Sequence, residues 1–235
     1  MIPLRDSLRP RSRPVVTWVL IGLNVWMFLY ELTLGVRLGG FIEAWGFVPL
    51  RYFFLAEAVP SDWAARYAPL LTSMFLHGGW MHLLGNMVYL WIFGDNVEDR
   101  LGHLRYLAFY LVAGVGAALA HAYLHPGSEV PTVGASGAIS GVLGAYLVLF
   151  PFARVLTLVP IVFFFVHVVE VPAVLYLGIW LMLQLVSGTL AMAAGDAGGV
   201  AWWAHVGGFA LGAVLAPLVR RRSSSPRQWQ AEYAP

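Results

Sequence analysis

Six apolar runs constrain this chain more than any other feature. They lie at about 15–34, 69–93, 106–124, 134–152, 170–191 and 201–219. Each is close to the roughly 20 residues that cross a bilayer as a helix. Only 11% of the residues are charged and 60% are hydrophobic, against about 25% and 45–50% in soluble domains. The expected fold is therefore all-α, a polytopic bundle of six transmembrane helices. It forms one domain over 15–219, with short basic tails at 1–14 and 220–235. The chain has no cysteine, which removes disulfides and thiol chemistry.

The segments between the runs refine this picture. Residues 155–194 form one long apolar stretch. As a single helix it would be about 60 Å long, twice the hydrocarbon thickness. Pro160, His167, Glu170 and Pro172 interrupt its first part, so 155–169 reads as an irregular, interfacial lead-in to the fifth span. The first loop, about 35–68, mixes Arg37, Glu43 and Arg51 with Trp45, Phe47 and Tyr52; such rings settle at a membrane interface. Residues 95–105 read as a charged connector, and Gly195, Asp196, Gly198 and Gly199 as a short turn. Both tails are Arg-rich, with Arg5, Arg9, Arg11 and Arg13 at one end and Arg220, Arg221, Arg222 and Arg227 at the other. Basic excess marks the cytoplasmic side, so both termini are expected there. That requires an even number of spans, which six satisfies. The expected setting is a multi-pass protein of a bacterial inner membrane.

Polar residues inside the spans gather at one depth. Gly134-Ala135-Ser136-Gly137 opens the fourth span and His205 lies about one turn into the sixth. His82 and Asn86, four residues apart, share one face of the second. Polar groups in a bilayer are costly without partners, so these groups are expected to face one another. Gly137, Gly141 and Gly144 make a smooth stripe on the fourth span, and Gly208 and Gly212 make one on the sixth. Such stripes let helix backbones approach closely. Ser136 reads either as a packing notch or as a nucleophile, and His205 either as an interhelical bond or as the base that activates a serine. A serine at a helix start also sits among free backbone N–H groups that can hold an oxyanion. No carboxylate lies at this depth, so a Ser–His dyad is simpler than a triad.

At these residues the chain resembles the rhomboid family of intramembrane serine proteases. The matching motifs are Gly134-Ala135-Ser136-Gly137, His205 through Gly212, and His77 through Asn86 with His82 between them. The likeness runs over about 15–219. It implies Ser136 as nucleophile, His205 as general base, and an oxyanion hole lined by the Ser136 N–H, His82 and Asn86. It implies single-span membrane proteins as substrates, entering laterally between spans two and five and cut near the outer face. It implies no metal, cofactor or nucleic-acid partner; the partners are the lipid bilayer and the substrate helix. Two departures stand out. The first loop lacks the family's Trp-Arg pair, since Trp63 is followed by Ala64. Four residues after the serine, where the family often has an aromatic ring against the imidazole, this chain has Ser140.

Three rival classes fit these residues less well. An inactive relative that binds client helices usually loses the serine or the histidine, and both are present here. A channel or transporter would be expected to pair charges at the midplane or to show an inverted repeat, and neither is visible. Other intramembrane proteases are disfavoured because there is no HExxH motif and Asp196 lies in a turn.

Overall fold

The computed structural model describes residues 1–162, 165–195 and 199–221. Asp196, Gly198, Arg222, Arg227 and the tail over 222–235 lie outside the described residues. The architecture is mostly helical. Helix α1 spans Val15–Thr33, and the first loop folds into three short helices, α2 (Leu38–Trp45), α3 (Pro49–Ala58) and α4 (Trp63–Thr72). The bundle continues with α5 (Trp80–Leu101), α6 (His103–Leu124), α7 (Ser136–Leu149), α8 (Ala173–Ala193) and α9 (Trp202–Val219). Four of these, α1, α6, α8 and α9, are long and apolar enough to cross a membrane. Helix α7 is apolar but has only 14 residues, about 21 Å at 1.5 Å per residue. These helices make the chain an integral membrane protein.

The expectation of an all-α fold is corrected by a three-stranded antiparallel sheet. Strands β1 (Ile2–Asp6), β2 (Arg154–Val162) and β3 (Phe165–Pro172) pair in the order β1-β2-β3. The region read as an irregular lead-in is thus a hairpin, with Arg154 opposite Pro172 and Leu158 opposite Val168. Its composition explains this. Valines crowd the segment, and β-branched side chains favour the pleated backbone. Pro160 lacks an N–H to donate, and the ladder changes register between Pro160 and Val162, the kind of irregularity at which a strand tolerates proline.

Helix α5 also differs from the span expected at 69–93. The chain leaves α4 through a 3-10 turn at Ser73–Phe75 and re-enters helix only at Trp80, after Gly79 at φ +153. The residues expected as a charged connector are the last turns of α5 and the first of α6, hinged at Gly102 with φ +86. One of their carboxylates caps the start of α1. Glu98, fully buried, accepts from the backbone N–H of Val16 (2.9 Å) and of Thr17 (2.8 Å), and from the Thr17 hydroxyl (2.7 Å). An anion on the first-turn donors of a helix is favoured by unsatisfied N–H groups and by the dipole. This contact fixes α1 antiparallel to α5.

The sheet sits at the same end of the bundle. Asp6 of β1 accepts from the Asn96 amide at 2.9 Å and from the Tyr146 hydroxyl. Burial pushes the Asp6 carboxyl up from 3.8 to about 6, against the opposing pull of the Tyr146 hydrogen bond. A carboxyl raised in the folded state stabilises most when protonated, and that contribution is lost as pH rises through about 6. Relative to Asp6→Asn, the parent should gain thermal stability as pH falls from 7 to 5. A parent-minus-variant difference in unfolding midpoint that stays flat over this range would contradict it.

Candidate active site

The tightest helix pair in the bundle, α7 against α9, builds the site. A Cβ on Gly208 would lie 2.2 Å from the Gly137 carbonyl oxygen, and one on Gly212 would lie 2.0 Å from that of Gly141. On the other side, a Cβ on Gly144 would lie 2.0 Å from the Phe209 carbonyl oxygen. Backbone therefore lies on backbone at successive turns, which side chains beyond hydrogen would prevent. This brings the start of α7 beside the first turns of α9. Ser136, the first residue of α7, donates its hydroxyl to Nε2 of His205 at 2.8 Å.

The other face of the imidazole is held from α8. Nδ1 of His205 lies 2.8 Å from Oε1 of Gln184. An amide oxygen only accepts, so Nδ1 carries the proton and Nε2 presents its lone pair to Ser136. Trp180, one turn earlier on α8, packs tilted beside the ring at a centroid distance of 6.1 Å and stacks on Phe209. Gly188 lets α8 come close, since a Cβ there would meet the Trp203 indole nitrogen at 3.1 Å. Ser140 takes no part in this support; its hydroxyl donates back to the Ser136 carbonyl at 2.7 Å.

Helix α5 supplies donors on the opposite side. Gly134 at φ +118 lets the chain pass close to His82, where a Cβ would lie 2.6 Å from Nε2. The Gly78 N–H points to His82 Nδ1 at 3.4 Å, so Nδ1 accepts and Nε2 carries the proton on the Gly134 side. Asn86, 7% exposed, donates its amide to His77 Nε2 at 3.0 Å. The backbone N–H of His77 in turn bonds both carboxylate oxygens of Glu31 on α1, each at 3.2 Å. His77 thus anchors Asn86 and ties the α5 entry to α1.

These groups open on a cavity of about 700 Å³ lined by Ser136, His205, His82, Asn86, Gln184 and Trp180. A cavity of this size is in the range that buries a ligand of drug size. Of the sequence-predicted site residues, Ser136, His205, His82 and Asn86 all line it. Gly134 passes against His82, and Gly137, Gly141, Gly208 and Gly212 form the contact beneath. Sequence reasoning does not single out Gln184. The signal was available: it is the one carboxamide in the apolar stretch Ala173–Ala193, and a lone polar side chain in a span needs a partner. No cluster of metal-ligating side chains occurs among the described residues.

The Rhomboid domain family model matches residues 64–222. The chain is 27% identical over 225 residues to Rhomboid protein 1, mitochondrial, of Saccharomyces cerevisiae, covering 93% of this chain and 57% of that protein. It is 34% identical over 137 residues to Rhomboid protease GluP of Bacillus subtilis, covering 58% and 25%. It is 40% identical over 78 residues to RHOMBOID-like protein 5 of Arabidopsis thaliana, covering 33% and 25%. The chain spans from a quarter to little more than half of the length of these relatives.

Proposed function

The chain belongs to the rhomboid family, and on that premise we propose that it is an intramembrane serine endopeptidase. The observation that carries this reading is the 2.8 Å contact from the Ser136 hydroxyl to Nε2 of His205. With its other nitrogen protonated toward Gln184, the imidazole is in the tautomer that accepts a proton. Ser136 Oγ attacks the substrate carbonyl carbon and its proton passes to Nε2. The negative charge that develops on the carbonyl oxygen meets the Ser136 N–H, the His82 Nε2–H and the Asn86 amide. His205 then gives its proton to the leaving amine. A water entering the cavity repeats the sequence on the acyl-enzyme.

The substrate is a single-span membrane protein, cut near the outer face after entering between α5 and α8. Six helices cross the bilayer in this reading: α1 and α5 to α9. The pairing of β1 with β2 supports it, because α1, α5, α6 and α7 run between the two strands and an even number of crossings returns the chain to one side. The Arg-rich ends support the cytoplasm as that side, and the reading places the protein in a bacterial inner membrane. The protease reading takes no metal or cofactor.

Labelling by a fluorophosphonate probe tests the proposal. The parent in detergent is expected to label covalently, and Ser136→Ala and His205→Ala are expected not to. A parent that labels no better than Ser136→Ala overturns the protease reading and leaves a client-helix binder.

A further inference from the structure

The support of the His205 ring comes from a different helix than the one carrying the serine. On α7 the position one turn after Ser136 is Ser140, and its hydroxyl is committed to the Ser136 carbonyl. On α8, Gln184 and Trp180 sit one turn apart and both reach the imidazole, Gln184 through Nδ1 and Trp180 as a tilted ring 6.1 Å away. Gln184 is only 7% exposed, although Met182 and Leu183 beside it are 59% and 56% exposed. Its amide therefore points inward from an otherwise lipid-facing stretch. An amide carried into a membrane helix costs free energy unless it is hydrogen-bonded, and here its oxygen is bonded to the imidazole that faces the serine.

The alternative proton arrangement makes the consequence concrete. Without an acceptor at Nδ1, neutral imidazole is free to carry its proton on Nε2, where it faces Ser136 as a donor and cannot take the hydroxyl proton. Rotation about the ring's own bonds is opposed by Trp180 on one side and by Trp202, edge-on at 6.3 Å, on another. Elsewhere α8 is tethered to α5 by the hydrogen bond between the Tyr89 and Tyr176 hydroxyls, at 2.8 Å. The seating of α8 and the orientation of the base are thus one structural event.

We propose that Gln184, backed by Trp180, is the positioning residue that sets the tautomer and orientation of His205, so that proton acceptance by the base depends on α8 lying against α9. The inference rests on the Ser–His reading above. Gln184 touches no reacting atom; it acts through His205.

The test follows the rate of fluorophosphonate inactivation of the full chain in detergent between pH 5 and 9. The parent, Ser136→Ala, Gln184→Leu and Gln184→Glu are compared, with thermal midpoints measured alongside. Gln184→Leu is expected to react at least about tenfold more slowly at pH 7.5, with its midpoint within a few degrees of the parent. Gln184→Glu keeps an acceptor at Nδ1 and is expected to remain reactive. A carboxylate beside the ring favours imidazolium, so the acid limb of its profile should move to higher pH by about one unit. A purely structural Gln184 would not give a loss in Gln184→Leu at an unchanged midpoint together with rescue by Gln184→Glu. Should the leucine variant fail to fold, the near-isosteric Gln184→Glu still decides. Reaction of Gln184→Leu within twofold of the parent, or an unshifted acid limb in Gln184→Glu, overturns the inference while leaving the protease reading intact. A parent as inert as Ser136→Ala overturns both.

Discussion

Ser136→Ala, His205→Ala and the double variant are expected to lose substrate cleavage to the same extent, by roughly 10³-fold or more in kcat. The reason is that the two side chains act as one unit. The hydroxyl is a weak nucleophile without the base, and the base has no substrate-facing task without the hydroxyl. Removing either leaves the cavity, the oxyanion donors and the binding of the substrate helix in place, so KM should change little. Cleavage of a reporter with one membrane span, reconstituted in vesicles, measures both constants. Multiplicative losses in the double variant would mean that the residues act independently, and the 2.8 Å contact would then lack the role given to it here.

The second large effect belongs to Gly212. A methyl group there would have to occupy space 2.0 Å from the Gly141 carbonyl oxygen and 2.6 Å from its Cα. Both are backbone atoms and neither can swing aside, so α9 must move away from α7. Overpacking of this kind costs about 1–3 kcal/mol and occasionally more. It also draws His205 away from Ser136, and misplacement by about 1 Å is enough to lower a rate 10²-fold. Gly212→Ala should therefore lose both thermal stability and activity. Gly22 on α1 has open space where its Cβ would be, so Gly22→Ala serves as the control and should match the parent in both. Equal behaviour of the two variants would show that the α7–α9 contact is looser than the structure has it.

Much of the helical core is legible from hydropathy, because a span in lipid must be apolar for about 20 residues and charged groups collect at its ends. The start of α5 is not legible in that way. Hydropathy is continuous from Pro69, but the chain leaves the helix at the 3-10 turn Ser73–Phe75, Gly79 takes φ +153, and helix begins again only at Trp80. The hairpin over Arg154–Pro172 escapes for a related reason. Its valines and leucines satisfy a buried strand and a membrane helix equally, and a short apolar run carries no period that separates the two. Ser136, His205, His82 and Asn86 can be picked out because each lies in a glycine- or histidine-marked motif on its own helix. Gln184 lies in no motif. Its significance depends on a contact across 21 positions in sequence, and such contacts are set by how α8 leans on α9 rather than by anything local.

The antiparallel ladder between Ile2–Asp6 and Arg154–Val162 also has a consequence for how the molecule is made. The second strand is synthesised about 150 residues after the first. At translation rates of about 5–20 residues per second, the first strand waits roughly 8–30 s for its partner. Throughout that interval its backbone donors and acceptors are open to water or to whatever protein attends the ribosome. The ladder is thus a clasp whose first half is made before α1 and whose second half is made before α8 and α9.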